Sequence, residues 1–580
     1  DSIVIYERWR TTREQNLLEE ISSYNEEDCY STYLLREWLH SIRPEGIPWF
    51  ETEPDREVSD KLEKREEAER FRLEYERKLR KVHSEDAPEL GPLIAYLLEF
   101  HRREAKPSWW AMFDRQGRSE EELLEDPESL GDLREDAESP PFTEKQSLIY
   151  TYSFPPQDSK LKVGDGCLLS ESLEWAGTIH QLEEDSHTVQ IKRGNRQGPL
   201  PKSLSLIPTG PINDKVLRKA LYRFAEAVVS GTDRYKAVQA ILKREFPAIA
   251  GHSAGDPIID ETEELLSEVL RATERLDESY LFIQGPPGAG KTYTASDVIV
   301  DLIQSGRRVG VASNSHKAIN NLLAAIEAKS RRKITRFHGV KKSTGNRPET
   351  FFNGDSIEDV TDNKLVDLSA DLIAGTAWLF AREELDQVLD YLFIDEAGQV
   401  SLANVVAMGL SSKNIVLVGD PMQLAQPLQG VHPGQSGQSG LEYLLQDSAT
   451  VPSERGIFLP TTWRMHEKLC EFISLAVYDR RLKPERDNQN QCLLVGDTSH
   501  PALKEAGLSF VPVQHSGCSQ KCEEEAELVA EIVNDLLDHQ YRGRDGVESP
   551  MKLENILVVS PYNIQVNHLK SVLPAGSRVG

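Results

Sequence analysis

The sequence predicts an α/β fold of parallel sheets wrapped by helices, preceded by a charged helical stretch and a small β domain. From Tyr280 onward the short apolar segments YLFIQ, RVGVAS, KITRFHG, DLIAGT, YLFID and NIVLVGD alternate with helical stretches, the pattern of strand–helix–strand units in a parallel sheet. Ahead of them, WAGTIHQL (Trp175 to Leu182) and HTVQIK (His187 to Lys192) alternate apolar and polar residues around the polar turn Glu183 to Ser186, as hairpin strands do. From about Glu51 to Glu138 the chain is dense in Glu, Arg and Lys, including KLEKREEAERFRLEYERKLRKVH, which reads as exposed helix laced with i,i+4 ion pairs.

Taken in order, Tyr24 to Leu39 places Tyr30, Leu34, Leu35, Trp38 and Leu39 at helical spacing, so an amphipathic helix is expected to pack there. Helical periodicity returns in KVLRKALYRFAEAVV and continues, with interruptions, to about Leu276. After Leu459 a second α/β set is expected: a helix over Met465 to Ile473, strand LSFVPV, helix EEEAELVAEIVNDLL and strand NILVVSP.

Composition narrows the function. The length of 580 residues exceeds a single core and predicts about three to five structural units. No apolar run approaches the roughly 20 residues needed to span a bilayer, so nothing reads as transmembrane and a soluble protein is expected, with the cytoplasm as its place on the ground of its sparse cysteines. A formal charge of −28 argues against a surface that coats nucleic acid, so any nucleic-acid track must be local. The best local candidate is SRRKITRFHGVKK, which concentrates Arg331, Arg332, Lys333, Arg336, Lys341 and Lys342. Six cysteines are sparse for this length and suit a reducing compartment. His515, Cys518 and Cys522 cluster, but without a clear fourth ligand a plain loop before a helix is the preferred reading over zinc.

The chemistry begins where strand Leu281 to Gln284 runs into Gly285, Pro286, Pro287, Gly288, Ala289, Gly290, Lys291 and Thr292, a phosphate-loop pattern between a strand and a helix. Glycines let backbone N–H groups wrap phosphates, the helix N-terminus adds positive potential, Lys291 reaches the β/γ oxygens, and the Thr292 hydroxyl is a ligand for Mg²⁺. The predicted cofactors are ATP and Mg²⁺. Strand YLFID then ends in Asp395 and Glu396. Asp395 is expected to hold Mg²⁺, directly or through water, and Glu396 to orient and deprotonate the attacking water. Strand NIVLV delivers GDPMQL, whose Gln423 is placed to sense the γ-phosphate. Arg464, in Thr462-Trp463-Arg464-Met465-His466 of the second unit, is the candidate arginine finger.

In this order GPPGAGKT, SNSHKA, DEAGQ, GDPMQL and TWRMH resemble motifs I, Ia, II, III and IV of the superfamily 1B helicases of the nonsense-decay and Okazaki-flap type. The resemblance covers about Tyr280 to Gly580, with SPYNIQVNHL (Ser560 to Leu569) similar to the strand and helix before motif V. It implies two RecA-like domains with ATP between them, motif Ia lining the strand groove, and 5′ to 3′ travel on single-stranded nucleic acid. It also makes the β segment resemble the barrel inserted on helical stalks in this group. Trp463 stands where the family commonly has tyrosine and can still stack on adenine. No Q motif is evident before Tyr280, which leaves the choice between ATP and GTP open. Upstream, Tyr24-Asn25-Glu26-Glu27-Asp28 resembles the last motif of an RNase H-like exonuclease, making Tyr24 and Asp28 a possible nuclease remnant; for Asp28 alone a first-turn helix position is the favoured reading. Together with HRREAKPSWW, whose Trp109 and Trp110 can stack bases but are favoured as packing residues, the arrangement resembles bacterial RecB-like nuclease–helicase fusions.

The expected organisation is a nuclease-domain tail over 1–45, a charged helical linker over 46–140, a β-barrel over 141–210, a helical stalk over 211–277, an ATP-binding RecA-like domain over 278–450 and a second one over 451–580 that lacks motifs V and VI. The opening Asp1 and the stop at Gly580 are read as cuts at both ends. The expected function is an ATP-dependent DNA helicase or translocase coupled to a nuclease, with DNA repair or processing as its setting. The alternatives are a nucleotide-gated nucleic-acid clamp without unwinding, or an RNA helicase.

Overall fold

The computed structural model describes residues 14–43, 69–82 and 88–580, apart from 184–185, 346 and 497–498, together with Ile5 and Trp9. Part of the charged run, residues 44–68 and 83–87, lies outside the described residues. The chain divides into two units, 1–73 and 74–580.

In the first unit helix α1 (Gln15–Ser41) covers the stretch whose periodicity predicts a helix. It has no buried residue, and Tyr30, Leu34, Leu35, Trp38 and Leu39 are all exposed.

The second unit opens with the i,i+4 pairs Lys78–Glu74 at 2.8 Å and Arg80–Glu76 at 2.7 Å, as the charged composition implies. Helices α2 (Leu90–Leu98) and α3 (Phe100–Gln116) follow. Strands β1 (Leu130–Glu135), β2 (Phe142–Glu144), β3 (Ser147–Ser153), β4 (Gly166–Leu169), β5 (Trp175–Glu183), β6 (Thr188–Gly194) and β7 (Ser203–Pro208) form one antiparallel sheet in the order β1-β7-β4-β5-β6-β3-β2. Pairing of β1 with β3 closes it into a small barrel, which removes the exposed edges of an open sheet. Alternation in β6 sends Val189 and Ile191 inward onto Tyr152, Leu133 and Leu206. The strand LGDLRE lies in a stretch whose charge predicts a helical linker; its Leu130 and Leu133 are buried in the barrel, and six residues are too few to alter the composition around them.

Helices α4 (Lys215–Val229), α5 (Lys236–Lys243) and α6 (Leu265–Glu274) lead to a wholly parallel sheet. Its strands are β8 (Tyr280–Gln284), β9 (Val309–Ala312), β10 (Gly339–Lys342), β11 (Ile357–Val360), β12 (Leu372–Gly375), β13 (Leu389–Ile394), β14 (Ser412–Gly419) and β15 (Gly456–Phe458), in the order β11-β10-β12-β9-β13-β14-β8-β15. All five residues of β8 are buried. Tyr280 and Phe282 face one core with α4, α5 and helix α9 (Leu402–Gly409), whereas Leu281 and Ile283 face the other with α6 and helices α7 (Lys291–Gln304) and α8 (His316–Lys333). Both faces are therefore covered, as a parallel sheet requires. In KITRFHG the strand is not realised as read: Ile334 is a left-handed cap after α8, 88% exposed, and β10 starts only at Gly339.

Beyond β15 come helix α10 (Glu467–Val477), an antiparallel trio over 492–494, 540–542 and 548–550, and helices α11 (Glu523–Leu537) and α12 (Asn563–Val572), which pack through Ala526, Val533 and Leu569. The predicted strand LSFVPV is irregular, with Leu508 and Phe510 exposed. Its apolar alternation finds no paired neighbour among the described residues, and an isolated strand leaves its backbone groups without a ladder. NILVVSP keeps only the short strand Leu557–Val558, paired in parallel with Arg578–Val579.

Candidate nucleotide-binding site

The site grows from the carboxyl end of β8, between β14 and β15. Gln284 is fully buried, and its amide accepts from the Val451 N–H at 2.7 Å and donates to the Ala449 carbonyl at 3.2 Å, pinning the strand end. Gly288 and Gly290 then take φ of +76° and +84°, the left-handed region that glycine enters without penalty. Gly290 caps α7 and brings no side chain to its first N–H groups, which leaves those donors and the positive end of the helix dipole to the loop cavity. Lys291 Nζ folds back to donate to the Gly285 carbonyl at 2.8 Å, and Thr292 follows in the first turn. This is a cradle of donors around a cation, suited to a polyphosphate.

The acidic edge comes from β13. The Asp395 N–H donates to the Ala312 carbonyl at 2.8 Å, and its carboxylate accepts from the Glu396 N–H at 2.9 Å. Burial, then the neighbouring Glu396, push the Asp395 carboxyl up to about 6, against the pull of Lys291. A buried carboxyl so raised lacks a full counter-charge, and its oxygens are of the kind a hard divalent cation takes. Glu396 is half-buried and sits at φ +51°, a left-handed position strained for a side chain other than glycine and typical of functional turns.

Motif turns meet by backbone contact. The Gly285 N–H donates to the Gly419 carbonyl at 2.9 Å, and a Cβ on Gly398 would come within 2.6 Å of the Asp420 carbonyl. Asp420, 3% exposed, accepts from the Tyr478 hydroxyl at 2.6 Å, from Gln423 Nε2 at 3.2 Å and from the Met422 N–H at 3.2 Å. Burial and this carboxylate hold the Tyr478 hydroxyl far above its ordinary pKa. Gln423 is thus turned onto Asp420.

The TWRMH segment closes the loop from the other side. Leu459 N–H donates to the Gln284 carbonyl at 2.9 Å, Thr462 Oγ1 to the Pro287 carbonyl at 3.0 Å and Trp463 N–H to the Gly288 carbonyl at 2.8 Å. The exposed Arg464 therefore begins beside the phosphate loop. Sequence reading brings it from a second α/β unit, but β15 pairs with β8 and carries the segment on the first sheet. The three-residue strand GIF is too short to reveal which sheet it joins. The Trp463 ring is 52% exposed, with the Arg544 guanidinium 5.1 Å from its centroid.

Other candidates are placed differently. Asn314 of SNSHKA donates to the Gln399 carbonyl at 2.5 Å and to Gln426 Oε1 at 2.8 Å, which joins that motif to the turns after β13 and β14. SRRKITRFHGVKK is not one cationic strip: Lys341 is fully buried on Ser343 and Thr350, Lys333 is paired with Asp297 and Asp301, and Arg331 with Asp355. Trp109 stacks on Phe113 at 6.1 Å and lies against Gly210, whereas Trp110 is 66% exposed. In the first unit Tyr24 and Asp28 sit one turn apart on exposed α1. Among the described residues no carboxylate cluster able to hold a metal accompanies Asp28. Sequence reading missed Gln284, Tyr478 and Glu104. Glu104 of α3 accepts from the Gly430 N–H at 2.9 Å and pairs with His432 Nε2 at 2.7 Å, docking α3 on the segment after GDPMQL. Their partners are remote in sequence, so no local signal marks them.

Residues 267–436 and 437–578 match two families each described as an AAA domain, and residues 1–40 match the RNase H superfamily. The chain is 25% identical over 314 residues to the DNA replication ATP-dependent helicase/nuclease JHS1 of Arabidopsis thaliana, covering 51% of this chain and 22% of that protein. It is 22% identical over 356 residues to the DNA polymerase alpha-associated DNA helicase A of Schizosaccharomyces pombe, covering 50% of this chain and 51% of that one. With the Drosophila melanogaster homolog of regulator of nonsense transcripts 1 it shares 26% identity over 255 residues, 37% of this chain and 21% of that protein. The chain thus spans from about a fifth to a half of the length of these relatives.

Proposed function

We propose that this chain carries the P-loop motor of the superfamily 1B helicases together with an RNase H-superfamily segment, and that its protein is an ATP-dependent translocase on single-stranded DNA, moving 5′ to 3′ and coupled to a nuclease. The observation that carries the reading is the phosphate loop at the end of β8, with Asp395 and Glu396 on one side and the TWRMH backbone bonded to it on the other. The RNase H-type segment and the helicase/nuclease relatives favour DNA processing; a repair setting and a cytoplasmic location are part of the proposal. Among the described residues no helix is long and apolar enough to cross a membrane.

Bound Mg²⁺ would supply charge neutralisation on the phosphates and a template for their oxygens. Thr292 and Asp395 would hold it, the loop Gly285 to Thr292 would hold the phosphates of ATP, and Trp463 would supply an aromatic face for its base. The chain's own residues do the rest. Lys291, released from the Gly285 carbonyl, meets the β/γ oxygens. Glu396 takes a proton from the attacking water. Gln423 exchanges its bond to Asp420 for the γ-phosphate side of the cleft. Arg464 brings positive charge to the transferring group. Because Thr462 and Trp463 are bonded to the loop backbone, a change in phosphate occupancy is passed to α10 and the layer beyond it.

The test is steady-state ATP hydrolysis with and without single-stranded DNA, beside strand displacement on tailed duplexes, in the full-length protein. Stimulated hydrolysis with displacement of a 5′-tailed substrate is expected. ATP-dependent binding without displacement would identify a nucleotide-gated clamp, and stimulation by RNA alone would replace the DNA reading.

A further inference from the structure

Away from the nucleotide cleft, the loop before α11 brings together a ring nitrogen of His515 and the Sγ atoms of Cys518 and Cys522, all within 4.8 Å of one another. We propose that these three side chains and Glu524 bind one zinc-class divalent ion, which fastens this loop to α11.

The fourth donor, which sequence spacing alone leaves unassigned, is assigned to Glu524 in the first turn of α11, which reaches both thiols but lies outside the mutual 4.8 Å group and so turns its carboxylate toward His515 on binding. Glu524 Oε2 lies 3.4 Å from Cys522 Sγ and 4.0 Å from Cys518 Sγ. A tetrahedral zinc ion bonds sulfur at about 2.3 Å and carboxylate oxygen at about 2.0 Å, which puts those two atoms about 3.5 Å apart. The observed separations bracket that value. The mixed S, N and O donor set selects zinc over Mg²⁺ or Ca²⁺, which take oxygen ligands.

The frame that holds the donors is partly fixed in advance. Cys522 is 6% exposed, its N–H donates to Gln565 Oε1 at 2.9 Å, and its carbonyl accepts from Gln565 Nε2 at 2.9 Å. Gln565 is itself buried on α12. Two ligands therefore stand on the α11–α12 pair, and two, His515 and Cys518, arrive on the loop. That loop has no helix or strand from Ser499 to Lys521, and it exposes Leu508 and Phe510. Irregular segments this long inside an ordered unit generally carry a function or a tether. Both cysteines are free thiols. On binding, each thiol releases its proton to solvent and ligates as thiolate, while His515 donates the lone pair of a neutral ring nitrogen and Glu524 a carboxylate oxygen. The site shares no residue with the phosphate loop or its partners.

The full chain, purified with its thiols reduced, is expected to contain close to one zinc per chain by elemental analysis. After chelation, added Co²⁺ should give the strong visible bands of a tetrahedral ion and a thiolate-to-cobalt charge-transfer band. Cys518→Ser should roughly halve the charge-transfer intensity, and Glu524→Gln should weaken Co²⁺ binding with both thiolates retained. Cys522 is left unmutated because it is buried. Far-UV circular dichroism and nucleotide affinity, expected unchanged in both variants, show that folding is intact. Reduced chain that takes up neither zinc nor cobalt would overturn the proposal. So would a charge-transfer band unaltered in Cys518→Ser, or a Cys518–Cys522 disulfide as isolated followed by no zinc uptake after reduction.

Discussion

The backbone N–H of Trp463 donates to the carbonyl of Gly288 at 2.8 Å, so the aromatic residue next to the candidate finger is tied to the centre of the phosphate loop. The same glycine has no room for a side chain. A Cβ there would lie 2.6 Å from Arg464 Cβ and 3.0 Å from Thr462 Oγ1, at φ +76°. Gly288→Ala is expected to cost about 1–2 kcal/mol from the left-handed backbone alone. By pushing Arg464 off position it should also lower ATP turnover on the order of 10²-fold. Chemical denaturation and steady-state kinetics measure the two effects. Unchanged turnover would show that Arg464 has no part in the reaction.

Lys291→Ala removes the ammonium that the loop holds over its own backbone at Gly285. Charge-assisted hydrogen bonds contribute about 1.5–3 kcal/mol each, so affinity for a nonhydrolysable ATP analogue should fall roughly 10- to 100-fold. Calorimetry reads this directly. Equal affinity in the variant would remove the phosphate-loop assignment.

Asp395 gives a pH signature. Its folded-state value of about 6 stands above the ordinary 3.8, so protonation favours the metal-free fold. The stability contribution of this group is fully present below about 3.8 and is lost as pH rises through about 6. Asp395→Asn, which cannot ionise, should therefore stabilise the metal-free protein at pH 7 to 8 by roughly 1–3 kcal/mol and change little near pH 4. Mg²⁺ should raise the wild-type melting temperature at pH 7.5 and lose that effect as pH falls through about 6, whereas the variant should not respond. A variant that still responds to Mg²⁺ would move the metal to other ligands.

How much of this was legible in the sequence follows from the range of each interaction. GPPGAGKT and the acidic pair after YLFID could be read because a strand, a turn and a helix start are local, and their chemistry sits within a few residues. β8, β9, β12, β13 and β14 are equally plain, since burial on both faces writes continuous apolar runs. The sheet to which β15 belongs was not legible, because three residues of GIF state only that they are apolar. Leu508 to Val513 misled for the opposite reason: good alternation without a neighbour does not make a strand. Lys341 looked like part of a basic track, yet only the fold shows it fully buried against Thr350.

Glu396→Gln separates binding from turnover. The amide keeps the shape at φ +51° but cannot accept the proton of water. Nucleotide affinity should stay within about threefold and turnover should fall at least about 10²-fold. Single-turnover hydrolysis beside equilibrium binding makes the comparison. Near wild-type turnover would assign the base elsewhere.

Tyr478 tests whether the GDPMQL turn needs its buried anchor. Its hydroxyl donates to Asp420 at 2.6 Å, while Gln423 donates to the same carboxylate at 3.2 Å and is the group proposed to leave for the γ-phosphate. As long as Tyr478 stays, Asp420 keeps a strong donor when Gln423 departs. Tyr478→Phe retains the ring, which packs 6.2 Å from Phe458, and deletes only the hydroxyl. Asp420, 3% exposed, then depends on Gln423 and the Met422 N–H, so moving Gln423 would strip a buried carboxylate of a donor it can no longer spare. Bonds to charged groups contribute about 1.5–3 kcal/mol, and stability should fall by about that amount. The kinetic effect separates a positioning role from a packing one. If Tyr478 frees Gln423 to act, kcat falls about 10- to 100-fold while nucleotide affinity is nearly unchanged, because ground-state phosphate contacts come from the loop and Lys291. Urea denaturation, analogue binding and stimulated hydrolysis on one preparation give all three quantities. A loss of stability with kcat intact would reduce Tyr478 to a packing residue and leave Gln423 without its proposed exchange.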